Sequence, residues 1–303
     1  MEAAVLRRCS LAIAFVFLAA MPVRAGDSRV PEKFELHVAG INEPAYYHMM
    51  RPRAYEAGRK YPLLVVIPGS HNPDGTPDEN EGKRRVSFWA YQGTEEFFVI
   101  SAWYSREIDA HPHHAKRNAA AVTDAMLRDA LARFPIDRGR VFYQCFSAGG
   151  VHTKLLFERY AVEAPVVFAG LLFNDANCHG CNVNAACVSR DTVVFIGVGE
   201  FDKQPAEPFN CVAEAERWKT LWSTRCNDVE HHVFKDQGHN IGPEQFDMIQ
   251  EWFPKTLAKV TEREIRTAAA NRKQAQEAVR RGLYGAALSL TECAPVSYTH
   301  LRA

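Results

Sequence analysis

Ser147, Asp202 and His239 are the residues whose types, order and settings could together carry acyl transfer. Ser147 lies in Val141-Phe142-Tyr143-Gln144-Cys145-Phe146-Ser147-Ala148-Gly149-Gly150, where an apolar β-type run feeds a serine and small residues open a helical pattern over 151–160. A strand-to-helix turn of this kind holds a serine Oγ clear of a sheet, and small neighbours let the two backbones pass closely. The usual form is G-x-S-x-G; here Cys145 takes the place of the first glycine. A serine hydroxyl is a poor nucleophile at neutral pH. It needs a base within hydrogen-bond reach, and the base needs an acid to orient it.

Both follow in the chain. The buried-strand pattern over 192–198 spills into Gly199-Glu200-Phe201-Asp202, and the strand pattern over 229–234 leads to Gly238-His239-Asn240. Nucleophile, acid and base then all fall just past strand ends, where ligand sites form in open α/β sheets. Asp202 is the expected acid and Asp175, after the preceding strand, is the alternative. Glu200 would need another loop path, and Asp228 and Asp236 flank the last strand as solvated groups. Among 12 histidines, His231 and His232 lie within a strand, and His152 follows the serine on its helix as a packing residue. His111, His113 and His114 share a loop without a nearby carboxylate and read as surface. The tetrahedral oxyanion needs N–H donors. The expected donors are Ala148, next to the nucleophile, and Ser70, after Leu63-Leu64-Val65-Val66-Ile67-Pro68-Gly69.

The elements that must position these residues alternate. Runs at 34–39, 45–51, 63–67, 97–103, 141–146, 166–173, 192–198 and 229–234 are short, apolar and often β-branched, as buried strands are. The first two resemble an antiparallel hairpin. Helical patterns at 116–134, 150–160, 212–223 and 244–259 separate the rest. The alternation predicts an α/β domain over 26–260, with a mostly parallel central sheet and helices on both faces. From 261 the composition turns to Ala, Arg, Glu and Gln. Residues 261–294 read as a short C-terminal helical extension, a truncated helical hairpin that could contact another protein. Residues 295–303 do not continue that pattern and resemble translated adapter DNA, a non-native tail.

Composition narrows the function. Of 303 residues, 47% are hydrophobic and 24% charged, with a formal net charge of zero. Nothing here provides an electrostatic grip on nucleic acid or acidic lipid. Residues 1–25 read as a signal peptide: Arg7 and Arg8, an apolar stretch too short for a comfortable membrane span, then Val23-Arg24-Ala25 as the cleavage site. The expected location is therefore secreted or periplasmic, with no stable membrane insertion after cleavage. Eight cysteines suit an oxidising compartment. Removing Cys9 leaves Cys145, expected buried and free, and Cys178, Cys181, Cys187, Cys211, Cys226 and Cys293. At least one disulfide is expected among Cys178, Cys181, Cys187, Cys211 and Cys226. Cys178-His179-Gly180-Cys181 with Cys187 is also a zinc-type spacing, with disulfides favoured over metal by export.

Taken together, Tyr61-Pro62-Leu63-Leu64-Val65-Val66-Ile67-Pro68-Gly69, Ile136-Asp137-Arg138-Gly139-Arg140-Val141-Phe142, Cys145-Phe146-Ser147-Ala148-Gly149-Gly150, Gly199-Glu200-Phe201-Asp202 and Gly238-His239 resemble a secreted bacterial α/β-hydrolase. The style is that of the polyhydroxybutyrate depolymerase, feruloyl esterase and acetylxylan esterase group, with serine-peptidase relatives nearby. The resemblance covers residues 34–259. It implies the α/β-hydrolase fold without a large cap domain, and a serine esterase that needs neither metal nor organic cofactor. Pro68 and Cys145 depart from the His-Gly and glycine common in that group. The short 174–190 segment suggests an open site suited to a polymeric or extended ester, with Trp103 and Tyr104 as possible subsite walls. The alternatives are a serine peptidase of the same fold and a catalytically inactive hydrolase-fold binding module.

Overall fold

The computed structural model describes residues 29–42, 45–69, 79–103, 115–176, 181–202 and 211–283. Its centre is an eight-stranded sheet in the order β1-β2-β4-β3-β5-β6-β7-β8. The strands are β1 (Glu32–Leu36), β2 (Ala45–Met50), β3 (Tyr61–Ile67), β4 (Phe98–Trp103), β5 (Ile136–Phe146), β6 (Gly170–Asn174), β7 (Val193–Gly199) and β8 (Asp228–Phe234). β1 and β2 form the antiparallel hairpin expected at the start, and β2 pairs antiparallel with β4. Every later neighbour is parallel. The helices are α1 (Glu79–Trp89), α2 (Ala115–Arg133), α3 (Gly149–Arg159), α4 (Cys211–Ser223) and α5 (Pro243–Arg280). This is the α/β-hydrolase fold.

Alternation along the strands builds two cores. Leu63, Val65 and Ile67 of β3 join Met126 and Leu127 of α2, Phe157 of α3 and Trp218 and Trp222 of α4. Leu64 and Val66, pointing the other way, join Val86 and Trp89 of α1 and Ile249, Trp252 and Phe253 of α5. A central strand covered on both faces must be apolar at every position, which is why these strands read as continuous hydrophobic runs. Each fully buried Leu, Val or Phe contributes about 1.5–3 kcal/mol.

Several elements differ from the sequence reading, β1 lying at Glu32–Leu36 instead of 34–39 and β3 starting at Tyr61. α1 lies in a stretch that gives little helical signal, because Glu79-Asn80-Glu81-Gly82-Lys83-Arg84-Arg85 is polar; Val86 and Trp89 nevertheless bury a single stripe. β5 starts earlier, since Ile136 pairs with Tyr61. β6 starts later than the apolar run at 166–173: the Phe168 N–H bonds to Cys187 O at 2.8 Å, so the backbone there serves a loop before it joins the sheet. α5 continues unbroken past residue 260, where the composition changes, because the new residues are also helix formers. Residues 1–25, 284–294 and 295–303, the expected signal, hairpin remainder and tail, lie outside the described residues.

Phe142 is fully buried among Phe97, Trp252 and Phe253 at ring-centroid distances of 5.3–6.0 Å. Phe142→Ala is expected to lower stability by about 3–5 kcal/mol, measured as the shift in the urea unfolding midpoint at unchanged slope.

Candidate active site

Five strands hand residues to one edge of the sheet. β3 ends at Pro68-Gly69, β5 at Ser147, β6 at Asp175, β7 at Gly199 with Asp202 close behind, and β8 leads to His239. β3, β5, β6, β7 and β8 are successive neighbours in the sheet. Parallel strands lie about 4.8 Å apart, so residues distant in sequence arrive side by side.

Ser147 has φ 52°, the left-handed region, which costs a non-glycine residue about 1–3 kcal/mol. The turn is held from both sides. The Ser147 N–H donates to Asn174 O at 3.2 Å, and the Gly150 N–H donates to Ser147 O at 3.0 Å. Two glycines allow the crowding. A Cβ on Gly149 would lie 2.6 Å from Pro68 O, and one on Gly69 would lie 3.1 Å from Ser147 Cβ and 3.2 Å from the Phe146 ring. Cys145 is fully buried in the strand and accommodated there, so the position usually held by glycine takes a small thiol without displacing the turn.

The side chains of Ser147, His239 and Asp202 meet in a chain of hydrogen bonds. Ser147 Oγ–H faces His239 Nε2 at 2.7 Å, and His239 Nδ1–H donates to Asp202 Oδ2 at 2.9 Å. The Asp202 side chain is 1% exposed and that of His239 30%, so the acid is sealed while the imidazole edge reaches solvent. The Phe146 ring lies against His239 with centroids 5.2 Å apart. Geometrically, His239 can take the Ser147 proton and Asp202 can hold the resulting cation. Ala148 is the N-cap of α3, so its N–H belongs to the helix's N-terminal donors, beside Ser147 and at the positive end of the helix dipole. Ser70 lies outside the described residues.

The histidine loop is tied down by an amide relay absent from the sequence reading. Gln237 Nε2 donates to Asn240 O and to Gln245 Oε1, each at 2.5 Å, and Gln245 Nε2 donates to Asn174 Oδ1 at 2.9 Å. Asn174 is the same residue whose carbonyl holds Ser147. Gln residues give no sequence signal for this, because only the fold brings 174, 237 and 245 together.

The remaining candidates find other places. Asp175, the alternative acid, is not hydrogen-bonded to His239; its Oδ1 accepts from the Gly199 N–H at 2.9 Å. His152 is buried, with Nε2 3.0 Å from Thr123 Oγ1 between α3 and α2. His231 and His232 point to opposite faces. His231 approaches Glu216 of α4 at 3.4 Å, and burial lowers its pKa; His232 lies by Phe195 and Phe234. Trp103 is buried and stacked on Tyr46 with centroids 4.7 Å apart, a packing role. Tyr104, His111, His113 and His114 lie outside the described residues.

The expected disulfide does not form among the described cysteines: Cys145, Cys181, Cys187, Cys211 and Cys226 are buried free thiols. Two have other partners, Cys211 Sγ donating to Asp175 O at 3.7 Å and Cys226 Sγ to Ser189 O at 3.6 Å. Burial pushes the Cys226 thiol up to about 11. Cys178, Cys293 and the Cys178–Cys181 zinc spacing fall partly or wholly outside the described residues. Asp202, Cys211 and His239 bring three metal-ligand atom types within 4.8 Å. The imidazole has no nitrogen left for an ion, since Nδ1 serves Asp202 and Nε2 faces Ser147.

No family model matches the chain, and no curated protein matches its sequence. Solved structures resemble it at low identity. A thermostable esterase is 18% identical with a TM-score of 0.52, over 75% of this chain and 60% of that one. An esterase from Rhizomucor miehei is 14% identical with a TM-score of 0.56, over 77% and 84%. Oligopeptidase B from Leishmania major is 12% identical with a TM-score of 0.55, over 77% and 37%. The chain thus spans less than two thirds of the first esterase and little more than a third of the peptidase. These likenesses establish the α/β-hydrolase fold.

Gly199 is where β7 passes under the histidine loop. A Cβ there would collide with the Gly238 and Gln237 carbonyl oxygens, which cannot yield without moving His239. Gly199→Ala is therefore expected to leave a folded protein, by circular dichroism, whose kcat falls about 100-fold, since ångström-scale displacement of a catalytic group costs that much. Unchanged kcat would show that the loop does not depend on this contact.

Proposed function

We propose that this α/β-hydrolase-fold protein is a serine hydrolase cleaving carboxylic esters through Ser147, His239 and Asp202. The observation that carries the reading is the continuous relay, 2.7 Å from Ser147 Oγ to His239 Nε2 and 2.9 Å from Nδ1 to Asp202 Oδ2. Ser147 Oγ attacks the acyl carbonyl as its proton passes to His239 Nε2. The oxyanion is met by the Ala148 N–H and, on the sequence reading, by the Ser70 N–H. His239 then protonates the departing alcohol oxygen, leaving an acyl-Ser147 ester. Water, deprotonated by the same imidazole, attacks that ester and releases the acid. Asp202 keeps the proton on Nδ1 and stabilises the imidazolium without being protonated itself.

Several features support an extended ester. Residues 181–192, ahead of β7, form turns, and the His239 side chain is 30% exposed. Phe201, 61% exposed one residue before Asp202, offers apolar surface beside the site. The depolymerase and feruloyl or acetylxylan esterase style, the secreted or periplasmic location and a protein contact through the C-terminal helices belong to this proposal and rest on the sequence. The peptidase reading is favoured by the likeness to oligopeptidase B and to a putative dipeptidyl aminopeptidase IV. Both readings share the acyl-enzyme chemistry.

Mature protein should therefore be assayed on acetyl, butyryl and feruloyl esters and on peptide amides. Ester turnover is expected to exceed amide turnover. Ser147→Ala should lower kcat by about 10⁶-fold and Asp202→Asn by as much as about 10⁴-fold, with unfolding midpoints close to wild type. Amide turnover above ester turnover would favour the peptidase. Turnover that survives Ser147→Ala would remove the proposed mechanism.

A further inference from the structure

A second buried carboxyl group, that of Asp175, interacts with the Asp202 carboxylate. Asp175 is 1% exposed and Asp202 2%. Each has one oxygen engaged: Asp175 Oδ1 accepts from the Gly199 N–H, and Asp202 Oδ2 accepts from His239 Nδ1–H. Among the described residues, the other two oxygens, Asp175 Oδ2 and Asp202 Oδ1, are buried and meet no hydrogen-bonding donor. Asp175 has φ 42°, so the backbone bends into the left-handed region to turn this side chain inward. Its own N–H is anchored to Gly197 O at 2.8 Å. Two ionised carboxylates cannot share a dry site, because desolvation and mutual repulsion both oppose the second charge. One proton between them removes the repulsion and satisfies both oxygens at once.

The geometry points to Asp175 as a protonated carboxylic acid that donates an Oδ2–H hydrogen bond to Asp202 Oδ1, fixing the Asp202 carboxylate beneath His239. This rests on the serine hydrolase reading above and makes Asp175 a positioning residue for that site. The division of labour follows from the partners. His239 donates its Nδ1–H to Asp202. Among the described residues, Asp175 is offered the neutral Gly199 N–H. Burial, and then the adjacent Asp202 charge, push the Asp175 carboxyl up to about 9 against that N–H, which acts to lower it.

The surrounding groups leave this arrangement intact. From α4, Cys211 presents a thiol that burial, with Asp202 beside it, pushes up and keeps neutral. One turn on, the Glu214 carboxylate is ion-paired with Arg217 at 2.6 Å. From the loop after β8, His239 lies on the far side of Asp202. Below about pH 9 Asp175 therefore donates to Asp202. Above it, Asp175 loses its proton, the hydrogen bond disappears and two adjacent anions repel, so turnover falls as the pH rises.

Asn at 175 mimics the protonated acid: Oδ1 can accept from Gly199, Nδ2–H can donate to Asp202, and Asn tolerates the left-handed backbone. Gly at 175 keeps the backbone and removes the donor. With p-nitrophenyl butyrate as substrate, Asp175→Asn is expected to keep near wild-type kcat at pH 7.5 and to lose the alkaline fall. Asp175→Gly should lower kcat by about 10–100-fold at unchanged KM, the usual worth of a hydrogen bond to a charged group. Independently of turnover, infrared spectra of protein carrying ¹³C-carboxyl aspartate should show a protonated-carboxyl C=O band at pH 7. That band should vanish as the pH passes about 9 and be missing in Asp175→Asn. Asp175→Asn as impaired as Asp175→Gly, an alkaline fall that survives Asp175→Asn, or no such band at pH 7 would each overturn the assignment. Ser147→Ala should retain the band, so a protein that shows it but cleaves no ester or amide retires the hydrolase reading and not the shared proton.

Discussion

The hydrogen bond from His239 Nδ1 to Asp202 Oδ2 joins two loops 37 residues apart and is the contact on which the rest of the site depends. A buried carboxylate is costly unless donors surround it, and the donors to Asp202 are this imidazole N–H and, on our inference, Asp175. The imidazole in turn presents Nε2 to Ser147 only while Nδ1 is held. Loss of either bond releases the other. The sheet exists, in functional terms, to bring these loops to one edge at fixed separation.

Rigidity at that edge comes from polar groups and missing side chains, not from apolar packing. Asn174 is the hinge of the arrangement. Its carbonyl receives the Ser147 N–H, and its side chain receives Gln245, which also engages Gln237 in the histidine loop. Nucleophile and base are thus tied to the same strand end. Gly69, Gly149 and Gly199 remove the Cβ atoms that would separate neighbouring backbones. The strain at Ser147 and Asp175 is sustained because the surrounding sheet is apolar on both faces and does not yield.

Much of this was legible in the sequence, for identifiable reasons. Strands covered on two faces must be apolar throughout, so β3, β5 and β7 announce themselves. A serine, an aspartate and a histidine just past such runs identify the edge they share. α1 escaped because its buried stripe is only Val86 and Trp89 amid charged residues, and the start of β6 was misplaced because 166–169 is apolar for loop packing. The amide relay and the Asp175–Asp202 pairing were illegible, since each depends on which strand ends become neighbours. Sequence order suggested a competition between the two aspartates; their burial side by side suggests cooperation instead. The cysteines were a weaker guide: export argues for cross-links, whereas the described cysteines are buried free thiols and Cys178 lies outside the described residues.

The most direct test of the account is whether Ser147 is an activated nucleophile. Folded protein should be treated with a fluorophosphonate, digested, and the adduct mapped by tandem mass spectrometry. The account predicts a single phosphonylated residue, Ser147, with labelling abolished by His239→Ala, because the hydroxyl attacks phosphorus only when the imidazole takes its proton. Folded protein that is not labelled, or is labelled at another residue, would contradict it.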